Sequence, residues 1–332
     1  MNALAWGTDA LLEASVVGSF SRIGIEIRSR LLPEFTGAPQ PGDDHDPGSG
    51  SPPHTADRVA VITGATSGLG LATASTLAGR GWTVHLLARD PERAERARCR
   101  IGAAHAGGTI SYGLADMEDL DSLAAFASDV RAQHSRIDVL VHAAGAIHPR
   151  YAVNQAGIER TFAGQVIAPF ALTKLLMPLL VAAAPARVIT VSSGGMYTQR
   201  LGRSTVEMRQ SGYNGVTAYA RAKRAQAALS AEWTRRIHPA TVAFHTMHPG
   251  WAETPGLAAS LPRFYRAARP ILRTPDQGAD TIVWLATTAT PLGSGCFWLD
   301  RRPRTEYRLP WTKEHDPATA RHLWETIEAK TG

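Results

Sequence analysis

Apolar runs and helical patterns alternate along the chain from about residue 57 onward. The runs are short, largely β-branched and mostly apolar, with few polar residues, which is typical of strands buried on both faces of a parallel sheet. They fall at residues 59–62, 83–87, 109–114, 137–141, 187–191 and 242–247. Segments with helical spacing separate them. The pattern therefore predicts an α/β fold with a doubly wound parallel sheet and a functional site at the carboxyl ends of its strands.

A separate apolar pattern comes before this domain. Residues 9–32 predict an amphipathic helix because apolar residues recur at helical spacing. These are Leu12, Val16, Phe20, Ile23, Ile27 and Leu31. Gly18 and Gly24 weigh against an unbroken helix. We expect the stripe to pack on the main domain or on a second subunit of a homo-oligomer. The alternative is a peripheral membrane contact through a helix lying in the interface.

Composition divides the chain into three parts. Residues 33–56 are mostly Pro, Gly, Asp and Ser, which predicts a flexible linker. We therefore expect a helical arm at residues 1–32 and a single domain at residues 57–332 that ends in a helix. Since the linker separates the two, deleting residues 1–56 is expected to leave the domain and its ligand binding intact.

A glycine-rich turn follows the first strand. Gly64, Gly68 and Gly70 lie between the run at 59–62 and the helical segment 71–80. Glycines let the backbone approach an anion closely, and free N–H groups at a helix start point toward it. The turn therefore indicates a phosphate site, although a tight turn without a ligand has the same pattern.

The spacing here is Thr-Gly-x-x-x-Gly-x-Gly, and with the motifs below the chain resembles the short-chain dehydrogenases/reductases. The resemblance implies a Rossmann fold with strand order 3-2-1-4-5-6-7 and a bound dinucleotide. The implied cofactor-binding residues are Thr63, Gly64, Ser67, Gly68, Leu69, Gly70, Asp116, Ala144, Gly145, Pro249, Gly250 and Thr254. Asp116 would contact adenine, although a helix-capping role is open. Thr254 would cover the nicotinamide carboxamide.

The end of the second strand predicts which dinucleotide is used. An NAD enzyme has an acidic residue here to hold the ribose 2′-hydroxyl. This chain has Ala88 followed by Arg89. A guanidinium can bind a 2′-phosphate bidentately and stack on adenine. We therefore predict NADP(H) as the cofactor, with an ordinary surface arginine as the alternative for Arg89.

The catalytic residues implied by the resemblance are Ser193, Tyr219 and Lys223. Tyr219 and Lys223 are four residues apart on a predicted helix, so they share a face. An unperturbed tyrosine titrates near ~10. The Lys223 ammonium is expected to lower that pKa, so that Tyr219 can exchange a proton with a substrate hydroxyl. Ser193 would bind the reacting oxygen, and Lys223 would also bind the nicotinamide ribose.

Two departures from the family pattern affect this prediction. His142 and Ala143 stand where the family has two asparagines, and Gln165 stands where an asparagine holds a catalytic water. Gln165 carries the same amide on a longer side chain, so it could still hold the water. A catalytically weak NADP-binding regulatory protein is therefore the alternative to an enzyme.

Three sequence blocks narrow the resemblance to one subgroup of the family and its bacterial members. They lie at residues 188–196, 247–255 and 277–286. The resemblance implies hydride transfer between NADP(H) and a secondary alcohol or ketone, with a lipid-like substrate. Residues 194–218 and 255–274 mix apolar residues with arginine and are expected to form the substrate pocket.

Composition excludes several other classes. The net charge is +6 (35 basic less 29 acidic residues), and its one small basic cluster, at residues 301–308, has no interleaved aromatic stripe typical of nucleic-acid binding. Cys99 and Cys296 form no disulfide pattern, which favours the cytoplasm, with association to a membrane through the arm as the alternative. His245 and His248 do not make a convincing metal site. The partner we expect is a small-molecule substrate.

Overall fold

The computed structural model describes residues 8, 9, 12, 13, 15–32, 58–105, 107–202, 206–289, 292–312 and 316–332. The predicted linker at 33–56 lies outside the described residues. The whole site discussed below lies within them.

Eight strands form one sheet in the order β3-β2-β1-β4-β5-β6-β7-β8. The first seven are parallel, and β8 pairs antiparallel to β7. The strands are β1 (Val59–Thr63), β2 (Thr83–Ala88), β3 (Ile110–Leu114), β4 (Val139–His142), β5 (Ala186–Val191), β6 (Val242–Met247), β7 (Cys296–Leu299) and β8 (Arg302–Pro303). The predicted fold class and strand order are confirmed. The edge strand β8 was not predicted from the sequence.

Helices cover both faces of the sheet. In chain order they are α1 (Val16–Phe20), α2 (Arg22–Leu31), α3 (Gly68–Gly79), α4 (Pro91–Ala104), α5 (Leu120–Gln133), α6 (Arg160–Ala182), α7 (Gly215–Arg236), α8 (Pro255–Ser260), α9 (Pro262–Ala268), α10 (Pro275–Thr287) and α11 (Pro317–Thr331). One apolar core joins the sheet to α3, α4 and α10, and a second joins it to α5 and α6. Both faces are therefore buried, which explains why the strands are mostly apolar along their length.

The arm folds as two helices, and its buried face differs from the predicted stripe. Ser21 interrupts the helical backbone between α1 and α2. A Cβ on Gly24 would lie only 1.8 Å from the Gly18 carbonyl oxygen, so the two helices meet at their glycines. Of the predicted stripe, only Phe20 is fully buried, while Val16, Ile23 and Leu31 are exposed. The break at Ser21 changes the register, because a stripe at helical spacing requires a continuous helix.

The arm nevertheless packs against the main domain. Arg28 lies in its buried face and pairs with Asp300, which follows β7. Phe20 packs against Tyr197, beyond the end of β5. These contacts place the arm on the main domain, which is one of the two kinds of packing expected from the sequence.

Candidate active site

The glycine turn has the backbone needed for a phosphate site. Gly64 and Gly68 have φ angles of +65° and +54°, which residues other than glycine rarely adopt. A Cβ on Gly70 would lie 2.5 Å from the Gly64 carbonyl oxygen, so this position has no room for a side chain. Helix α3 begins at Gly68, after Ser67, whose side chain makes no capping hydrogen bond. The first N–H groups of α3 therefore face the turn, where they fit an anionic dinucleotide.

Thr63 joins two strand ends rather than facing the turn. Its Oγ1 accepts hydrogen bonds from the N–H groups of Ala143 (3.1 Å) and Ala144 (3.0 Å). Gly64 lies close to Ala144, since a Cβ on Gly64 would lie 2.8 Å from the Cα of Ala144. The small residues after β4 thus bring the two loops together. The side chain of Leu69 packs against Gly278, which leaves only its backbone available to a ligand.

Arg89 and Asp116 lie together at the ends of β2 and β3. Arg89 Nη1 is 3.9 Å from Asp116 Oδ2, and the Arg89 side chain is 67% exposed. The guanidinium is therefore free to bind a phosphate from solvent. Asp116 Oδ1 accepts the Glu118 N–H at 2.9 Å, whereas Asp119 is the residue that caps α5. Asp116 therefore stabilises a local turn and does not cap the helix.

Tyr219, Ser193 and Lys223 meet at the carboxyl end of β5. Tyr219 and Lys223 lie on α7, and Lys223 Nζ is 5.4 Å from the centre of the Tyr219 ring. Lys223 donates a hydrogen bond to the Val191 carbonyl oxygen at 2.9 Å, two residues before Ser193. Helix α7 therefore docks on the end of β5 through the lysine. This arrangement places a hydroxyl pair beside a buried amine.

The pKa values of these groups differ from the sequence expectation. Burial raises the pKa of Tyr219, and a hydrogen bond with Ser193 opposes that rise only in part. Burial lowers the pKa of Lys223 to about 7, because an ammonium is costly to desolvate. Lys223 therefore does not produce the expected lowering of the pKa of Tyr219. Because a lysine with a pKa of about 7 is only partly protonated at neutral pH, Lys223 supplies less than a full positive charge to Tyr219.

Gln165 reaches the same place from an irregular turn of α6. Residues Ala163–Ile167 form a π-helical turn, a feature that often marks functional sites. The main-chain carbonyl oxygen of Gln165 accepts a hydrogen bond from Gln226 Nε2 at 2.6 Å. The side-chain Nε2 of Gln165 donates to the Ala146 carbonyl oxygen. A Cβ on Gly145 would lie 3.3 Å from Gln165 Oε1 and 3.4 Å from Lys223 Nζ. The amide oxygen and the amine therefore converge beside Gly145.

Gln165 Oε1 is buried and accepts no hydrogen bond from any residue that the structure describes. Buried polar atoms are almost always paired with protein or with ordered water. The atom is therefore suited to hold a water beside Lys223. Neither the π-helical turn nor Gln226 was predicted from the sequence, although Gln226 lies one turn after Lys223 on the same helix.

The loop after β6 closes the other side of the site. Gly250 has a φ of +74°, and its N–H donates to His248 Nδ1 at 3.0 Å. Thr254 Oγ1 accepts the Leu257 N–H and caps α8. A Cβ on Gly68 would lie 3.1 Å from the Thr254 methyl group, so this loop contacts the glycine turn. Of the predicted positions on this loop, Thr254 therefore lies against the predicted phosphate site, whereas Gly250 lies against Arg273 and the Phe20 carbonyl group.

One cavity lies outside this site. It has a volume of about 300 Å³ and is lined by residues 206–210 and by α11, among others. Only part of the predicted substrate segment 194–218 borders it, and Ser193, Tyr219 and Lys223 do not. Among the described residues, no group of three or more His, Cys, Asp or Glu side chains could hold a metal ion.

The fold and this site define a short-chain dehydrogenase, and comparison with known proteins agrees. The model of the short chain dehydrogenase family matches residues 58–263. The chain belongs to that family. It is therefore a dehydrogenase or reductase that uses a nicotinamide dinucleotide.

Individual relatives confirm the subgroup indicated by the sequence blocks. Dehydrogenase/reductase SDR family member 12 from Bos taurus is 38% identical over 274 residues, covering 82% of this chain and 85% of the relative. Retinol dehydrogenase 14 from Mus musculus is 32% identical, with 88% and 91% covered. A protein from Beutenbergia cavernae, described as an NAD(P)-dependent gluconate 5-dehydrogenase, was crystallised with NADP bound at low occupancy. It is 26% identical, with a TM-score of 0.60 and 72% and 93% covered.

Proposed function

We propose that this protein catalyses reversible hydride transfer between NADP(H) and a secondary alcohol or ketone of an apolar, lipid-like molecule. The observation that carries the proposal is the meeting of Ser193, Tyr219 and Lys223 at the carboxyl end of β5. The exposed Arg89 beside Asp116 supports NADP(H) over NAD(H). Names of relatives that include retinol dehydrogenase support an apolar substrate.

Each residue has a defined part in the proposed reaction. The dinucleotide would supply or accept the hydride. Tyr219 donates its proton to the carbonyl oxygen during reduction and accepts it back during oxidation. Ser193 holds that oxygen through its hydroxyl. Lys223 binds the ribose, and the water proposed at Gln165 Oε1 connects the amine toward solvent.

Turnover of Tyr219→Phe tests the catalytic assignment. The full-length protein is assayed with NADPH and a panel of apolar ketones, and with NADP and the matching alcohols. Phenylalanine keeps the ring, so NADPH binding is expected to remain, whereas turnover falls ~10²–10⁴-fold through lost acid–base catalysis. Undiminished turnover in this variant, on a substrate that the wild type uses, would exclude the mechanism.

The regulatory alternative has one observation in its favour. Gln165 stands where the family has the water-binding asparagine, and its amide N–H group already donates to the Ala146 carbonyl oxygen. A wild-type protein that binds NADPH but reduces no member of the panel would favour this alternative.

A peripheral membrane contact through residues 9–32 belongs to the same proposal. The outer surface of the arm exposes Val16, Val17, Ile23 and Leu31, with Arg22 and Arg30 beside them. Apolar and basic residues together fit an anionic lipid surface, and such a contact is compatible with a cytoplasmic protein. Helix α6 is also long and apolar enough to span a membrane, but two-thirds of it is buried in the fold.

Vesicle sedimentation tests the contact. Ile23→Asp is expected to reduce binding to phosphatidylserine vesicles, whereas Val181→Asp, at a similarly exposed position on α6, is expected to leave it unchanged. Equal vesicle binding by the two variants would rule out a membrane contact through the arm. A fall in the mass of the particle in Ile23→Asp would instead identify the surface as a homo-oligomer contact.

A further inference from the structure

The loop that carries Pro249, Gly250 and Thr254 is held by residues far away in sequence. The Trp251 N–H donates to the Phe20 carbonyl oxygen at 2.6 Å, and the Trp251 carbonyl oxygen accepts the Arg273 N–H at 2.7 Å. A Cβ on Gly250 would lie 2.6 Å from the Phe20 carbonyl oxygen and 2.4 Å from Arg273 Nε. The loop is therefore enclosed between the arm and Arg273.

Arg273 connects the two. Its guanidinium is 1% exposed and donates to the Pro249 carbonyl oxygen at 3.2 Å. It also donates to the carbonyl oxygens of Ser19, Phe20 and Ser21, at 2.9, 3.1 and 3.2 Å. These three carbonyls lie at the C-terminal end of α1, where helical carbonyl groups lack partners. One side chain thus satisfies the end of the arm helix and a backbone group of the loop.

Asp300 fixes the guanidinium from the other side. It is completely buried, and its carboxylate accepts hydrogen bonds from Arg273 Nη1 (2.5 Å) and Arg28 Nη1 (2.6 Å). Arg28, in turn, is part of α2 and donates to Asp9 Oδ1 at 2.8 Å. Asp300 also holds a φ of +53°, an uncommon backbone conformation that surrounding contacts must maintain.

The Phe20 side chain reaches both sides of the site. Its ring centre is 4.4 Å from that of His248, which precedes Pro249, and 6.0 Å from that of Trp251. A Cβ on Gly194, directly after Ser193, would lie 2.9 Å from Phe20 Cε2. The arm is therefore in contact with the segment after Ser193 as well as with the 249–254 loop.

We infer that the N-terminal arm is a positioning element of the active site, which acts through Phe20 and Arg273 to hold the 249–254 loop in its cofactor-binding conformation. The inference rests on the proposed function and on the expectation from the sequence that Thr254 of this loop covers the nicotinamide. The arm contributes no group to the chemistry. It sets where the loop stands relative to Ser193 and to the glycine turn, so its loss affects the nicotinamide half of the dinucleotide and spares the adenosine half.

Two full-length variants with matched controls test the inference. Phe20→Ala removes the ring at the site, and Val17→Ala truncates an exposed side chain on the same helix. Gly24→Ala disturbs the arm at a position away from the loop, because the three atoms nearest to its Cβ all belong to Gly18 and Arg28 of the arm. Gly102→Ala adds the same methyl group to α4, where nothing lies within 4 Å of it.

Binding is measured for NADPH and for 2′,5′-ADP, which lacks the nicotinamide half. Phe20→Ala and Gly24→Ala are expected to weaken NADPH binding about tenfold, because a loop that occupies its binding conformation about a tenth of the time binds about tenfold more weakly. Affinity for 2′,5′-ADP is expected to remain, and both controls should match the wild type. A role in overall stability alone would lower the melting temperature and leave the ratio of the two affinities unchanged, which would overturn the inference.

Amide hydrogen exchange in the cofactor-free protein gives a second measurement. Residues 249–254 and 194–198 are expected to exchange faster in Phe20→Ala and Gly24→Ala, while β1 remains as in the wild type. Unchanged exchange in these segments would also overturn the inference. If the wild type binds neither ligand, the proposed function fails, and the exchange result still decides whether the arm controls the loop.

Discussion

Arg89 is the residue on which the predicted choice of cofactor depends. It stands exposed at the end of β2, within 3.9 Å of Asp116 and otherwise open to solvent. Arg89→Ala is expected to weaken NADPH binding by at least ~1.5 kcal/mol, the lower range for a hydrogen bond to a charged group. NADH binding should change little, since it lacks the 2′-phosphate. Titration of both nucleotides measures this, with Arg93→Ala as an exposed control on α4. A wild type that prefers NADH would contradict the assignment.

Lys223 leads to a prediction about pH. Burial lowers its pKa to about 7 in the cofactor-free protein, so at pH 8.5 the amine is mostly neutral. The phosphates of a bound NADPH favour the ammonium and raise that pKa, so binding takes up a proton above pH 7. Affinity for NADPH should therefore fall as pH rises from about 7, by up to about tenfold per pH unit.

Calorimetry in buffers of different ionisation enthalpy measures this proton uptake. Lys223→Met removes the titrating group, so its proton uptake at pH 8.5 should be close to zero and its binding should depend little on pH. An equal uptake in the wild type and in this variant would assign the proton to another group.

At the scale of elements, helices α6 and α7 show what pattern alone could and could not predict. Tyr219 and Lys223 were predicted to share a face of α7 because a four-residue spacing fixes that geometry. The π-helical turn at Ala163–Ile167 could not be predicted, because one inserted residue leaves no periodic signal in a helix that is apolar on most of its faces. Gln165 was therefore placed on the correct helix, but its contact with Gln226 depends on how α6 meets α7.

The side chain of Gln165 leads to a graded prediction. If its amide oxygen holds a water beside Lys223, Gln165→Asn is expected to keep or raise turnover, because asparagine retains the amide. Gln165→Leu is expected to lower it, because leucine leaves the water without an acceptor. Initial rates with saturating NADPH give the comparison, and melting temperatures check that all three proteins are folded. Equal rates would remove Gln165 from the mechanism.

At the scale of the whole molecule, local pattern determined the sheet and missed the arm's attachment. Strand order followed from the family motifs, since each lies at a known strand end. The arm depends on pairs such as Arg28–Asp300, whose members are 272 residues apart and have no local signature. One indirect signal was present in the basic cluster at 301–308. Three of its members, Arg302, Arg304 and Arg308, pair with acidic residues of the arm.

The attachment of the arm also changes the expectation for a deletion of residues 1–56. The domain would lose Asp9 and Glu13, which pair with buried or half-buried arginines after β7. It would also expose the carbonyl-binding guanidinium of Arg273. Charges that lose a buried partner are costly, so the sequence-based expectation of an unaffected domain is not supported by this geometry.

Asp300 offers a single-site measure of how strongly the arm and the domain depend on each other. Its carboxylate is fully buried and pairs with Arg28 from the arm and Arg273 from the domain. The two arginines outweigh the effect of burial and hold the pKa of Asp300 below its usual value, so the carboxylate is charged at neutral pH. Asp300→Asn would remove the carboxylate that pairs with the buried guanidinium of Arg273, while Arg28 would keep its pair with Asp9. Breaking a buried pair by removing one partner costs ~3–5 kcal/mol of unfolding free energy.

Asp280→Asn is the matched control, because it makes the same substitution in a partly exposed pair with Arg301. A pair of that kind contributes ~0–1 kcal/mol. Denaturant unfolding at pH 7 gives both free energies, and the Asp300 variant is expected to lose several times more stability than the control. It should also show faster amide exchange in α1 and α2 than the control does. Similar losses in the two variants would show that the buried cluster does not bind the arm to the domain.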